Sequence, residues 1–348
     1  MRINVLLNIG KKPSGAARPI IEFCNKLSKH HDIVMYKAFN PNKNGLEYFV
    51  REKIGFLLKG KSFIPEWIDC DFPVEIIPRY DEKWIKDADI TFFRSPHLAC
   101  DVGGWSKRTG NKAMRVSNIH LLKNPLDIPE SVFLIASSTM VYEKLKILYP
   151  RHRIFRVANG VNCEFFSYEN RFYEKPQSIG MIFYEGKNAG HKGVEIGLEI
   201  FKRIKSEYPH LHFLIAGLKN PGNLPGYVEF IKGEKSSDML EFYQNTDIFI
   251  FPSLEDAFPN PPMEAMACGC AVVTTDVGGI RDFATDESAI ICQPGNLQQM
   301  LNAIKTLIEN PEKWRNIAQN GRKKIKQFDY SNQAKILEEV FYEILSTS

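Results

Sequence analysis

The stretch TDIFIFPSLEDAFPNPPMEAMACG, residues 246–269, passes from a short apolar run through an acidic loop into a compact helical pattern. Asp247 to Phe251 reads as a strand covered on both faces, since a strand buried in that way has no polar side to alternate with. Pro261 and Pro262 suit a helix entrance, where the missing N–H has no partner to lose, and Gly269 suits the position just past the helix end. Ala271 to Thr275 is a second apolar strand. Strand, helix and strand in succession argue for a βαβ unit and a parallel sheet.

The same alternation extends in both directions. Upstream come Ile3 to Leu7, a helical pattern over Ala16 to Ser28, and strands at Ile33 to Tyr36, Ile90 to Phe93, Met114 to Ile119 and Val132 to Ala136. A new series follows Asn162, with Ile179 to Phe183, Leu211 to Ala216, Ile248 to Phe251 and Ala271 to Thr275. The expectation is an α/β protein of two Rossmann-like doubly wound domains, 1–158 and 159–330. Residues 331–348 are then a C-terminal helix with Ser331 as N-cap, packing back on the first domain. In open α/β sheets ligands sit beyond the carboxyl ends of the strands, so a cleft facing both domains is the expected site.

Composition narrows the class. The 348 residues are 44% hydrophobic and 25% charged, ordinary for a globular chain of two domains. No segment reaches the roughly 18 apolar residues of a membrane span, and the opening run is short for a signal peptide, so the expectation is a cytoplasmic protein. Seven scattered cysteines without Cys-x-x-Cys argue against a disulfide framework or a zinc knuckle. Charge is uneven: residues 1–158 carry 26 Lys+Arg against 16 Asp+Glu, the remainder 19 against 25. A basic first half is a footprint for an anionic partner, and Leu46 to Lys61 mixes an apolar stripe with cations as an interfacial helix does. Peripheral contact with an anionic inner membrane face is therefore a candidate, and nucleic acid is not expected.

Asp256 stands eight positions before Glu264, with Phe258 and Asn260 between them and Val277-Gly-Gly279 beyond the next strand. Glu264 reads as lying in the first helical turn, where the dipole alone favours an acid. This segment resembles the P-S-x-x-E-G-F-G-x-P-x-x-E-A-M-A-x-G signature of family-four glycosyltransferases, retaining enzymes of the GT-B fold. Other marks run through the chain: Gly15 before a helix, Ser95 and His97 after one strand, His120 after another, Asn159-Gly-Val-Asn162, and His191-Lys-Gly193.

The resemblance implies transfer of a hexose-type sugar from a nucleotide-diphosphate sugar to a glycan, lipid-linked or small-molecule acceptor, without a metal or other cofactor. Glu264 matches the acid that bonds the ribose hydroxyls, and Asp256 occupies the slot of a glutamate that contacts the sugar, one methylene shorter. Ala257 and Pro259 replace two glycines of the donor loop. Lys192 matches the cation for the diphosphate, and Lys187 stands where arginine is usual. His120 matches a histidine beside the transferred sugar. The implied catalytic set is thus His120, Asp256 and Lys192, and the donor-binding set Gly15, Lys187, Lys192, Asp256, Phe258, Asn260 and Glu264. Asp69-Cys-Asp71 and Asp87-Ala-Asp89 have the D-x-D form of metal-dependent transferases, but in no nucleotide-site context. A non-catalytic nucleotide-sugar-binding subunit and a sugar-nucleotide epimerase of the same fold are the alternatives, the first on account of Asp256 and Pro259.

Overall fold

The computed structural model describes residues 1–10, 14–38, 50, 54, 67–117, 119–168, 174–185 and 190–347. The chain forms two compact units, Met1–Val157 with Tyr330–Ser348, and Ala158–Asp329. Most of the segment 46–61, and Lys187, lie outside the described residues.

In the first unit the strands are β1 (Arg2–Leu6), β2 (Asp32–Ala38), β3 (Val74–Ile77), β4 (Ile90–Phe93), β5 (Asn111–Val116), β6 (Val132–Ala136) and β7 (Ile154–Arg156). They lie in the order β3-β2-β1-β4-β5-β6-β7, every pair parallel. In the second unit β8 (Ser178–Ile182), β9 (His212–Gly217), β10 (Val228–Lys232), β11 (Ile248–Phe251), β12 (Ala271–Thr275) and β13 (Ile290–Cys292) lie as β10-β9-β8-β11-β12-β13, again all parallel. Parallel neighbours need long crossovers, which supply the covering helices. Central strands are accordingly apolar on both faces: all four residues of β4 and of β11 are buried.

Each sheet reverses its winding once, between β1 and β4 in the first unit and between β8 and β11 in the second. At such a point the connections leave the two adjacent strand ends in opposite directions, and the loops there are left open to a ligand.

Sequence expectation and structure differ in the edge strands, in the end of β5 and in the start of the last helix. The strands β3, β7, β10 and β13 were not anticipated, and they are the four sheet edges. An edge strand is half covered, as β10 (VEFIK) is, so it lacks the continuous apolar run that marks a central strand. The strand expected over Met114 to Ile119 is Asn111–Val116, and Ile119 instead opens a short helix, Ile119–Lys123. The last helix is Tyr330–Ser346, which places Ser331 inside it and removes it as N-cap. Tyr330, 3% exposed, belongs to the core and sets its ring edge-on to Phe23, 5.5 Å between centroids, so burial and not capping decides where that helix begins.

The terminal helix completes the first unit. It packs on the helix Arg18–Leu27, and its Leu337, Phe341 and Ile344 enter the same apolar core as Val5, Ile21 and Phe92. Phe341 meets Phe92 edge-on at 5.4 Å, and Glu338 takes a 2.6 Å contact from His31. No helix among the described residues is long and apolar enough to cross a membrane. Because Phe341 is fully buried against β4, Phe341→Ala should destabilise the first unit by about 3–5 kcal/mol, measured as a lowered denaturation midpoint in guanidinium. A change below about 1 kcal/mol would mean that the terminal helix is not part of that core.

Candidate active site

The winding reversal of the second unit brings two loops side by side, the one after β8 and the one after β11. They are joined through one carbonyl. The oxygen of His191 accepts from Leu254 N at 2.7 Å and from Glu255 N at 3.3 Å, and Ser253 Oγ lies 3.1 Å from it. Gly193 allows this approach: its φ of +65° is left-handed, and a Cβ there would run into the Pro252 carbonyl. Directly after Gly193 the helix Val194–Glu207 begins. Lys192 is thereby held facing the acidic loop.

Lys192 Nζ forms an ion pair with Asp256 Oδ2, the two side chains being 21% and 14% exposed. The ammonium also lies 5.5 Å from the Tyr184 ring centroid and 6.0 Å from that of Phe251, so aromatic faces add to its stabilisation. The other carboxylate oxygen, Oδ1, accepts from Phe258 N at 3.2 Å, closing a turn in the loop. Glu255 points elsewhere: its carboxylate lies 3.7 Å from the His191 ring. Between the two adjacent acids, it is Asp256 that meets the lysine. Gly278, with φ +57°, backs the loop, since a Cβ there would collide with the Asp256 and Ala257 carbonyls.

Glu264 differs from its sequence reading in position. The helix is Asn260–Ala267, so Glu264 is its fifth residue, past the first turn, and the helix dipole no longer accounts for an acid there. It is 9% exposed among Met263, Ala265 and Met266, and its Oε2 accepts from the hydroxyl of Tyr243 at 2.9 Å. Burial first, and then the Glu264 carboxylate, hold the Tyr243 phenol well above its ordinary pKa, which keeps it a hydrogen donor. The Tyr184 phenol is raised by burial and then by both Asp256 and Glu264.

Phe258 is 5% exposed and its ring packs on Phe283, 5.5 Å between centroids. Asn260 opens the helix, and its Oδ1 accepts from Asn159 Nδ2 at 3.0 Å; the same amide reaches the Phe258 carbonyl at 3.4 Å. The Asn159-Gly-Val-Asn162 element thus braces the loop that carries Asp256.

The remaining expected residues belong to the first unit. Gly15 is exposed in the turn that precedes the helix Arg18–Leu27, after β1. His120 sits in the short helix Ile119–Lys123, its Nδ1 3.2 Å from Asn124 Nδ2. Together with Arg94, Ser95 and His97 it lines a cavity of about 260 Å³. Of the D-x-D pairs, Asp87 bonds Arg108 at 2.8 Å and Asp89 accepts from Arg2 N at 2.7 Å, which are tethering roles. Among the described residues no group of three or more His, Cys, Asp or Glu is placed to hold a metal ion.

Sequence reasoning missed Tyr184, Tyr243 and Arg94. Tyr184 and Arg94 each follow a strand that flanks a winding reversal, so the signal was their position, legible only once strand order is known.

Residues 169–324 match the family model described as glycosyl transferases group 1. The chain is similar to the capsular polysaccharide biosynthesis glycosyltransferase CapM of Staphylococcus aureus, 26% identical over 186 residues, which are 49% of this chain and 49% of CapM. The chain spans about half the length, or less, of the curated relatives it matches first. Among solved structures it is similar to sucrose-phosphate synthase from Thermosynechococcus elongatus, with a TM-score of 0.72, 14% identity and full coverage of both chains. It is also similar to Anabaena Alr3699/HepE in complex with UDP, with a TM-score of 0.72 and 15% identity over 99% of this chain and 100% of that one. The family match thus falls within the second unit, and the two parallel sheets are those of the GT-B fold that the solved structures share.

Proposed function

We propose that the chain is a retaining, metal-independent glycosyltransferase that moves a hexose-type sugar from a nucleotide-diphosphate sugar to a glycan, lipid-linked or small-molecule acceptor. The observation that carries the reading is the set Lys192, Asp256 and Glu264 at the winding reversal of the second sheet, Lys192 paired with Asp256 and Glu264 bonded by Tyr243. A solved structure of similar fold is that of Alr3699/HepE with UDP-glucose, which makes UDP-sugars the first donors to test.

Each residue has a task that suits its chemistry. Glu264, with two acceptor oxygens, takes the ribose hydroxyls. Lys192 faces the diphosphate, whose leaving oxygen gains negative charge as the bond to the anomeric carbon breaks. The acceptor hydroxyl attacks that carbon from the face the phosphate leaves, its proton passes to a donor phosphate oxygen, and the configuration is kept. Asp256 neutralises Lys192. A diphosphate competes for the ammonium and frees the Asp256 oxygen to accept a sugar hydroxyl, so the short acid serves in place of a glutamate.

Three outcomes are expected. Glu264→Ala should weaken UDP binding by roughly 1.5–3 kcal/mol in a calorimetric titration of the folded variant, because a charged acceptor is lost. Unchanged affinity would remove the ribose assignment. Lys192→Ala should lower kcat more than it raises KM, since the charge it meets develops during the reaction; a raised KM with normal kcat would mean uniform binding instead. Chelator should leave the rate of the wild-type chain within about twofold, while a complete loss restored by a divalent ion would establish metal-assisted transfer.

A further inference from the structure

We propose that the cavity at the carboxyl end of β4 selects an acidic acceptor, with Arg94 taking a carboxylate or phosphate oxygen of the saccharide whose hydroxyl receives the sugar. The acceptor role rests on the glycosyltransferase reading; the anion site rests on the geometry of the first unit alone.

Arg94 is the first residue after β4, one of the two strands at the winding reversal of the first sheet. Its Nε is buried and has no hydrogen-bond partner among the described residues. That is costly. A buried donor without a partner loses about 1–3 kcal/mol relative to one that is satisfied, and more when the group is charged. Among the described residues no ion pair uses its charge, and no Asp or Glu lines the cavity. Burial alone lowers the guanidinium from its ordinary pKa, yet an arginine stays protonated in a protein. An arginine so placed has a fork of donors suited to two oxygens of a carboxylate or phosphate.

The other walls fit a sugar. Ser95, His97, His120 and Asn124 bring hydroxyl, imidazole and amide groups that exchange hydrogen bonds with sugar hydroxyls, and Leu121 and Leu126 give an apolar floor. At about 260 Å³ the cavity is below the roughly 300–1,000 Å³ of sites for drug-sized ligands, which suits one ring with its acidic group and not a long segment. The contrast with the second unit is informative. There the cation, Lys192, already has Asp256; here no acid among the described residues pairs with Arg94.

The test titrates the full chain, saturated with UDP so that phosphate probes are kept off the donor loops, with methyl glucuronide, glucose 6-phosphate and methyl glucoside. Both charged probes should bind about tenfold tighter than the neutral one, and Arg94→Gln should remove that preference while leaving UDP affinity unchanged. Whichever charged probe binds tighter identifies the acid as carboxylate or phosphate. Arg94→Lys keeps the charge and loses the fork, so it should retain only part of the preference, and it serves if the Gln variant does not fold. Equal binding of charged and neutral probes, or a preference that survives Arg94→Gln, overturns the anion site. A chain that prefers a charged probe, binds UDP-sugar and never glycosylates that probe overturns the acceptor role. Failure of the UDP titration itself counts against the donor site and is read apart from the Arg94 effect.

Discussion

Two parallel strands cannot be joined by a tight turn, and this constraint organises both units. Every connection must run the length of the sheet as a crossover, and a sheet that grows on both sides must reverse its winding once. In the second unit the reversal falls between β8 and β11. The two loops that leave these strands would each be unremarked elsewhere in the fold. Here they become neighbours, and the His191 carbonyl accepts amides from the opposite loop. The charged groups of the site follow from that contact.

The second consequence concerns charge. A lysine and an aspartate with little exposure are costly to desolvate and are tolerated because they satisfy each other. Asp256 is further held by the Phe258 amide, and Lys192 by the faces of Tyr184 and Phe251. The loop around them has an alanine and a proline where the related signature has glycines, and its shape is kept by Gly278 behind it and by Asn159 bracing Phe258 and Asn260. A short acid in a stiff loop is therefore well placed for the cation it meets. Glu264 is held differently, buried and bonded by a phenol that burial keeps protonated.

Much of this was legible beforehand. Strands buried on both faces announce themselves as apolar runs, so β4, β6, β11 and β12 stand where the sequence places them. The acids of the 246–269 stretch, the lysine before Gly193 and the glycine pair at 278–279 were readable as a motif. The four edge strands were not, because β3, β7 and β10 are of mixed composition and β13, though apolar, is only three residues long. Nor was the start of the terminal helix, where a serine that looks like a cap is overruled by the burial of the tyrosine before it.

The sequence by itself determined the class of fold, the alternation of strand and helix, and the residue types of the donor loop, because these depend on local periodicity and on chemistry written along the chain. The tertiary structure decided which residues meet. Asp256 and not Glu255 pairs with Lys192, 64 positions away, and Tyr243 bonds Glu264 from 21 positions before it. Arg94, whose buried Nε has no partner among the described residues, comes to the winding reversal because β4 lies next to β1. Strand order is a long-range property, set by how the whole sheet buries its faces, and no short window of sequence carries it.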